Sequence, residues 1–377
     1  VVHLTTTDMS LDWLLGPQLR AFGEAGYEVV GMSAAGPHVP ALQAMGIAHV
    51  DVPSLTRSSR PLHDVRALFQ LVRLLRRVRP SILHTHNPKP GVLGRIAGRL
   101  ARVPLVVNTQ HGLYAQPSDR WQRRVPVYLA ERLAAAASHV ELVQNEEDVH
   151  TLVHTLRVPQ RKVRLLGNGI DLQRFAPERV DTADRERVRS QWGVAHHEVV
   201  FGTVGRLVAE KGIAELVEAA RRLRATGLPV RFVVVGPLDI DKGDALPPDF
   251  VDRAVADGVV FTGRRDDMPQ CYAGFDVFVS ASWREGFPRA AMEAAAMGLP
   301  TIATDIRGNR QVVMDGVTGL MVPVRSAAQI ATACEHLARD PDARRVMGAA
   351  AARRALEEFG DQRVIERTLD AYRLLGT

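Results

Sequence analysis

Short runs of Val, Ile, Leu and Phe recur along the whole chain, each followed by a stretch with helical spacing. In the first half they fall at 1–5 (VVHLT), 27–33 (YEVVGMS), 81–86 (SILHTH), 104–109 (PLVVNT) and 139–144 (HVELVQ). In the second half they fall at 198–205 (EVVFGTVG), 230–236 (VRFVVVG), 258–262 (GVVFT), 275–280 (FDVFVS) and 300–304 (PTIAT). A strand with one wet face alternates polar and apolar residues, whereas a continuous apolar run is the pattern of a parallel strand covered on both faces. The intervening segments, such as IAELVEAARRLRATG (213–227), space their apolar residues for a helix face. Repeated strand–helix units imply an α/β protein with doubly wound sheets. The alternation breaks once, over 161–193, where a strand-like start, a Gly-Asn-Gly turn and Pro177 lead into a charged helical stretch. The expectation is two Rossmann-like domains facing a cleft. The first covers 1–172, the second 173–359, and a closing helix over 360–377 packs back on the first. No internal repeat of 20–50 residues is visible. In such sheets ligands bind at the carboxyl ends of strands, beside helix N-termini, so motifs are sought just after strands.

The 377 residues are 46% hydrophobic and 24% charged, which fits a globular protein, and no apolar run reaches membrane-spanning length. The chain opens on a strand, with no initiator Met and no signal-peptide core; the numbering is expected to begin inside the gene product. Cys271 and Cys334 offer neither metal spacing nor a disulfide framework, and point to a reducing, cytoplasmic compartment. The net charge of +6 is uneven. Residues 1–171 hold 20 Lys/Arg against 13 Asp/Glu, and the remainder 28 against 29. The excess is concentrated in VRLLRRVRP (72–80) and DRWQRRVP (119–126). It suits an anionic membrane surface, a nucleic acid, or simply Arg on solvated helix faces.

Two segments after strands carry chemistry. GRLVAEKG (205–212) places Arg206 and Lys211 between Gly205 and Gly212 where a helix begins. Two cations at a glycine-rich strand-to-helix junction suit a diphosphate, and a merely basic loop is the alternative. SWREGFPRAAMEAAAMGLP (282–300) sets Glu285 and Glu293 eight positions apart, with Pro288 at the first turn of a helix. Eight residues span roughly 12 Å of helix rise. That is too far for a paired acid/base couple, and better suited to holding two ends of one elongated ligand. The helix dipole alone accounts for Glu285 but poorly for Glu293, which stands in a small, apolar run.

Taken together these motifs resemble the retaining glycosyltransferases of family 4, with the two-domain GT-B fold. The family's glutamate–seven residues–glutamate motif is matched by Glu285 and Glu293, and its basic pair by Arg206 and Lys211. NGID (168–171) is similar to its linker segment and DGVTGLMVP (315–323) to its late glycine turn. HTHNPKPGVLGR (84–95) and NTQHGLY (108–114) resemble bacterial polysaccharide and lipid-linked-sugar transferases.

The resemblance implies that Arg206 and Lys211 neutralise the donor diphosphate and that Glu285 binds donor-sugar hydroxyls beside the amides of Gly286 and Phe287. It implies that Glu293 binds the ribose, and that His111 reaches the donor sugar from the first domain. Gly205 and Pro288 belong to the donor-binding loops, and the region 263–268 cradles the base, Arg264 through its backbone. One departure stands out: TTTDMSLDWLLG (5–16) has no glycine before Gly16, where many members carry a Gly-Gly pair. Asp8 and Ser10 there are assigned to acceptor contact. The DID at 239–241 resembles an Asp-x-Asp metal motif but reads as a solvated loop, so no metal and no cofactor are expected.

The expected activity is transfer of a hexose or N-acetylhexosamine, with retention, from a UDP- or GDP-sugar to a hydroxyl of a lipid-linked or polysaccharide acceptor. The protein is expected in the cytoplasm, peripheral on the inner face of the membrane. A sugar-nucleotide epimerase or hydrolase of the same fold is the rival. A nucleic-acid binder lacks any recognised motif or aromatic platform, and no G-x-G-x-x-G supports a dehydrogenase. The helical segments 63–80 and 118–135 are expected to pack their apolar faces on the first sheet and turn their Arg faces, with Trp121 at the rim, outward.

Overall fold

The computed structural model describes residues 1–56, 61–86, 88–117, 119–239 and 243–375. The chain divides into two compact units, 1–167 together with 362–377, and 168–361. The first holds seven strands, β1 (Val2–Thr7), β2 (Val30–Ala34), β3 (Ala48–Asp51), β4 (Ile82–His86), β5 (Leu105–Gln110), β6 (Val140–Val143) and β7 (Val163–Leu165). They form one parallel sheet in the order β3-β2-β1-β4-β5-β6-β7. The second holds β8 (Val199–Val204), β9 (Val230–Val235), β10 (Val260–Phe261), β11 (Val277–Ser280), β12 (Thr301–Thr304) and β13 (Gly319–Val322), all parallel, in the order β10-β9-β8-β11-β12-β13. In each sheet the strand order reverses beside the first strand, at β1/β4 and at β8/β11.

The continuous apolar runs are explained by burial on both faces. Successive residues of a strand point to opposite sides. Ile82, Leu105 and Val107 meet Leu15, Leu19 and Phe22 on one side, while Leu83 and Val106 meet Leu71 and Leu75 on the other. In the second unit Val200 and Phe278 serve one core, and Phe201, Val277 and Val279 the other. The closing helix Asp361–Tyr372 buries Val364, Ile365, Ala371 and Tyr372 in the first unit's core.

The first unit also buries charge. Arg95, on the helix Lys89–Leu100, is fully buried, with Nη2 2.5 Å from Glu131 Oε2 and Nη1 2.8 Å from Glu141 Oε1. Its Nε donates to Gly91 O at 2.6 Å, and Asn108 Nδ2 donates to Glu141 Oε2 at 2.7 Å. Burial by itself would lower the guanidinium pKa; Glu141 and Glu131 outweigh it and the pKa is raised. The network clamps the helix Trp121–Ala137 and β6 to the helix between them.

One expectation is corrected. The helix Trp121–Ala137 does not turn its larger apolar side chains to the sheet: Trp121, Val125, Leu129 and Leu133 are all more than half exposed, and its buried residues are Glu131, Ala134 and Ala135. The Arg95–Glu131 bridge faces this helix inward by its acidic and alanine side, which leaves the larger apolar side chains outside. On the helix Pro61–Val78 the expectation holds for Ala67, Leu71 and Leu75, while Leu62, Val65 and Phe69 are exposed near its start.

Arg95→Met would leave two buried carboxylates without their cation. We expect it to lower unfolding free energy by about 3–5 kcal/mol. Adding Glu131→Gln and Glu141→Gln should recover much of the loss. Urea denaturation checks both, and a loss under about 1 kcal/mol for the single variant would mean that the network is not a clamp.

Candidate functional site

In the second unit β8 and β11 are neighbours, and the loops leaving their carboxyl ends carry most of the sequence-selected residues. β8 runs into Gly205 and Arg206, a turn at Ala209–Lys211, and the helix Ile213–Arg224. Gly212 links turn to helix with φ +68°, and a Cβ there would sit 2.0 Å from the Ala281 carbonyl oxygen. Only glycine lets the first loop press on the second this closely. Trp283 adds two ties: its backbone N–H donates to Glu210 O at 2.8 Å and its indole N–H to Glu215 Oε1 at 2.9 Å.

At this junction Lys211 Nζ lies 2.5 Å from Glu285 Oε1, and Ser282 Oγ donates to the same oxygen at 2.9 Å. The two side chains are 24% and 17% exposed, so salt screens their attraction less than it would at the surface. The backbone under Glu285 is fixed from below, since a Cβ on Gly308 would fall 2.6 Å from the Glu285 carbonyl oxygen. Gly286, Phe287 and Pro288 follow. The Phe287 carbonyl accepts from Asn168 Nδ2 at 3.1 Å, and its ring meets Phe359 edge-on at 6.0 Å. Pro288 is the residue just before the helix Arg289–Ala296 rather than inside its first turn.

Glu293 lies on that helix, with Tyr272 OH 2.8 Å from its Oε2. Burial raises the pKa of Glu293, against the opposing pull of Arg289 and of the Tyr272 hydrogen bond. Arg206 Nη1 is 2.6 Å from Asp239 Oδ2. Arg264 is exposed and 3.3 Å from Asp266, and Gly263 O beside it accepts from Gly236 N at the end of β9. The structure therefore brings Gly205, Lys211 and Glu285 together. Arg206 joins Asp239, and Glu293 joins Tyr272.

In the first unit Asp8 is buried and both its oxygens are taken by local amides, Met9 N at 2.8 Å and His38 N at 2.7 Å. Ser10 Oγ lies 3.2 Å from Thr7 Oγ1. His111 follows β5, with Nε2 3.0 Å from His86 Nδ1. Behind it His86 Nε2 is 3.2 Å from His3 Nδ1, His3 Nε2 is 3.3 Å from Tyr372 OH, and Tyr372 OH is 2.6 Å from His84 Nδ1. His84 Nε2 ends the run 2.7 Å from Thr109 Oγ1.

Comparison with known proteins decides the family. The model described as "Glycosyltransferase Family 4" matches residues 18–174, and "Glycosyl transferases group 1" matches 198–340. The UDP-Gal:alpha-D-GlcNAc-diphosphoundecaprenol alpha-1,3-galactosyltransferase of Escherichia coli is 33% identical over 274 residues, 72% of this chain and 70% of its own. The chain belongs to glycosyltransferase family 4. This glycosyltransferase has the GT-B fold and transfers a sugar from a nucleotide-sugar donor. Capsular polysaccharide biosynthesis glycosyltransferase CapM of Staphylococcus aureus is 26% identical over 381 residues, 99% of this chain and 96% of its own. Anabaena Alr3699/HepE, solved in complex with UDP-glucose, is similar in fold with a TM-score of 0.81 at 20% identity, covering 98% of this chain and 99% of that one.

The DID segment of the glycosyltransferase is not simply a solvated loop. Asp239 is only 16% exposed and holds Arg206, because the cation after β8 draws in the carboxylate after β9. Ile240 and Asp241 lie outside the described residues. Sequence reasoning also passed over Ser282, Gly308, Tyr272 and the row His3, His84, His86 and Tyr372. The histidines had a signal: polar rings at alternate positions of a strand otherwise built for burial. Tyr372 had none, since its partners are 288 and 369 residues away.

His3, His84 and His86 have pKa values well below the usual 6.5, chiefly through burial and then through one another. Unfolded, they take up protons near pH 6.5; folded, they do so only far lower. Their contribution to stability is therefore complete above about pH 6.5 and falls as pH drops below it, by up to about 1.4 kcal/mol per pH unit for each ring. We expect melting temperature to fall between pH 7 and pH 5, and His84→Asn to flatten that slope. Calorimetry across the range checks it, and an equal slope in the variant would remove His84 from the account.

Proposed function

We propose that this glycosyltransferase moves a hexose or N-acetylhexosamine, with retention, from a UDP-sugar to a hydroxyl of a lipid-diphosphate-linked or polysaccharide acceptor at the cytoplasmic face of a membrane. The observation that supports the reading best is the Lys211–Glu285 pair at the joined ends of β8 and β11. A diphosphate arriving beside Gly205 competes for Lys211, and Glu285 is released to accept hydrogen bonds from the sugar hydroxyls. Arg206 likewise leaves Asp239 for phosphate. Glu293 holds the ribose hydroxyls, 263–268 the base, and His111 contributes a contact to the donor sugar. The bond from the anomeric carbon to the diphosphate oxygen breaks, with the electron pair leaving on the nucleotide. The acceptor oxygen bonds to the same face, and its proton passes to the departing phosphate oxygen. The two cations take the part a metal plays elsewhere, so the reaction is metal-independent. UDP and a diphospholipid acceptor are favoured by the name of the Escherichia coli relative.

Lys211→Ala should lower turnover on the order of 10²-fold with the fold intact, as for loss of one transition-state charge stabiliser. Assays with UDP- and GDP-sugars, with and without acceptor and in excess EDTA, check this. Near-normal transfer by the folded variant removes Lys211 from the mechanism. Donor turnover that needs no acceptor favours an epimerase or hydrolase, and activity restored by Mg²⁺ after EDTA overturns metal independence.

Among the described residues no helix is long and apolar enough to cross a membrane. Attachment would instead use the helices Pro61–Val78 and Trp121–Ala137, which both pack on Lys89–Leu100. Their exposed Trp121, Val125, Leu129, Leu133 and Phe69 stand among the exposed Arg120, Arg123, Arg132, Arg73 and Arg76. Each Lys or Arg near an anionic leaflet contributes about 1 kcal/mol, and three or four suffice for reversible attachment. Vesicles with anionic lipid should cosediment the protein and zwitterionic ones should not. Binding should weaken above about 0.3 M salt and in the Arg120→Ala, Arg123→Ala, Arg124→Ala triple variant. No binding to anionic vesicles at low salt would favour a soluble acceptor.

A further inference from the structure

The row of buried rings behind His111 is more ordered than a packed core requires. Six groups stand in line, His111, His86, His3, Tyr372, His84 and Thr109, with five contacts of 2.6–3.3 Å between them. Both ring nitrogens of His3, His84 and His86 are used within the line. The stacking of His84 on His86 at 4.4 Å between centroids, and of His3 on His86 at 5.5 Å, sets the rings side by side rather than converging on one point. These three imidazoles have nitrogens close enough together to consider a metal, yet each nitrogen already faces another group of the line.

A neutral imidazole has one N–H and one bare nitrogen, and a tyrosine hydroxyl donates once. Because a hydroxyl oxygen can accept twice, the five contacts can be made in three ways: every donor pointing toward His111, every donor pointing away, or both halves donating to Tyr372, which is 1% exposed and would then keep its own proton without a partner in the line. In the first, Thr109 O–H donates to His84 Nε2, His84 Nδ1–H to Tyr372, Tyr372 O–H to His3 Nε2, His3 Nδ1–H to His86 Nε2, and His86 Nδ1–H to His111 Nε2. In the second every bond reverses, and the Thr109 hydroxyl proton must find another acceptor. Thr109 is 3% exposed, and His84 Nε2 is the partner its hydroxyl has. A buried donor left without an acceptor is costly, so the first direction is selected.

We infer that the hydroxyl of Thr109 sets, through His84, Tyr372, His3 and His86, the proton of His111 on Nδ1. Thr109, His84, Tyr372, His3 and His86 are positioning residues that never meet substrate. Among the described residues Phe22, which stacks on His3, the N-terminal amine and Tyr27 also face the line, and none of these three takes the place of a donor in it. If His111 touches the donor sugar, which rests on the function proposed above, it does so as one fixed tautomer. A ring free to exchange tautomers would hold that form only part of the time.

The test is a two-bond 1H–15N correlation spectrum of full-length protein labelled with 15N-histidine, with His111→Ala assigning the ring. The expected spectrum puts His111 Nε2 in the range of a bare ring nitrogen and Nδ1 in that of a protonated one. Thr109→Val should shift both toward the mixed-tautomer average and lower kcat by roughly 2- to 10-fold, the range of one hydrogen bond, with little change in donor KM. Thr109→Ser should restore both readouts. A protonated Nε2 or an averaged ring in the unaltered protein overturns the inference even if Thr109→Val does not fold. So does an unchanged spectrum in folded Thr109→Val, or stoichiometric zinc or nickel by elemental analysis of the purified protein. If the spectra are as expected but folded His111→Ala transfers sugar at the normal rate, the line of bonds stands and the contact of His111 with the donor falls.

Discussion

A parallel sheet covered by helices on both faces leaves only its strand ends for a ligand, and everything between those ends must be apolar or fully partnered. Both units follow this constraint nearly throughout; among the described residues Gln110 Oε1 on β5 and Thr301 Oγ1 on β12 depart from it. The second lines β8, β11 and β12 chiefly with Val, Phe, Ile and Ala, and carries the loops of the site beyond their carboxyl ends. There the close approach of Gly212 to Ala281 joins two loops into one platform, and Lys211 and Glu285 stand on it together.

The first unit meets the same constraint differently. It places Arg95, Glu131, Glu141, Asn108, His3, His84 and His86 inside, and each finds its partners there. Buried polar groups are tolerable when their networks are complete, and they then fix one arrangement where apolar groups would accept several. Arg95 decides which side of the helix Trp121–Ala137 faces inward. The imidazole line decides which way a set of protons points. Both are choices of orientation that a purely apolar core would leave loose.

The architecture was legible because covering both faces forces unbroken apolar runs, and a strand of the structure lies within or against each of the ten runs. The three strands without such a run, β3, β7 and β13, are edges of their sheets. With a neighbour on one side only, AHVD can stay half exposed and GLMV can hide in a glycine turn. At the site, motif spacing pointed to Arg206, Lys211, Glu285 and Glu293. It could not show that Lys211 holds Glu285, or that Asp239 holds Arg206, because these partners are 74 and 33 residues apart. Helical periodicity in 121–137 was read correctly but its apolar side was assumed to face inward. Nothing local announces that a buried salt bridge has claimed that side.

The path of the chain has a consequence for biosynthesis. Tyr372, which bridges His3 and His84 in the imidazole line and fills the core beside Phe22 and His3, belongs to the unit whose sheet is complete at Leu165. A ribosome adding roughly 5–20 residues per second needs about 10–40 s to make the intervening second unit. For that interval the nascent first unit has its strands but not its last helix, and the face that Val364, Ile365 and Tyr372 will cover is open. The unit whose sheet is made first is the one completed last.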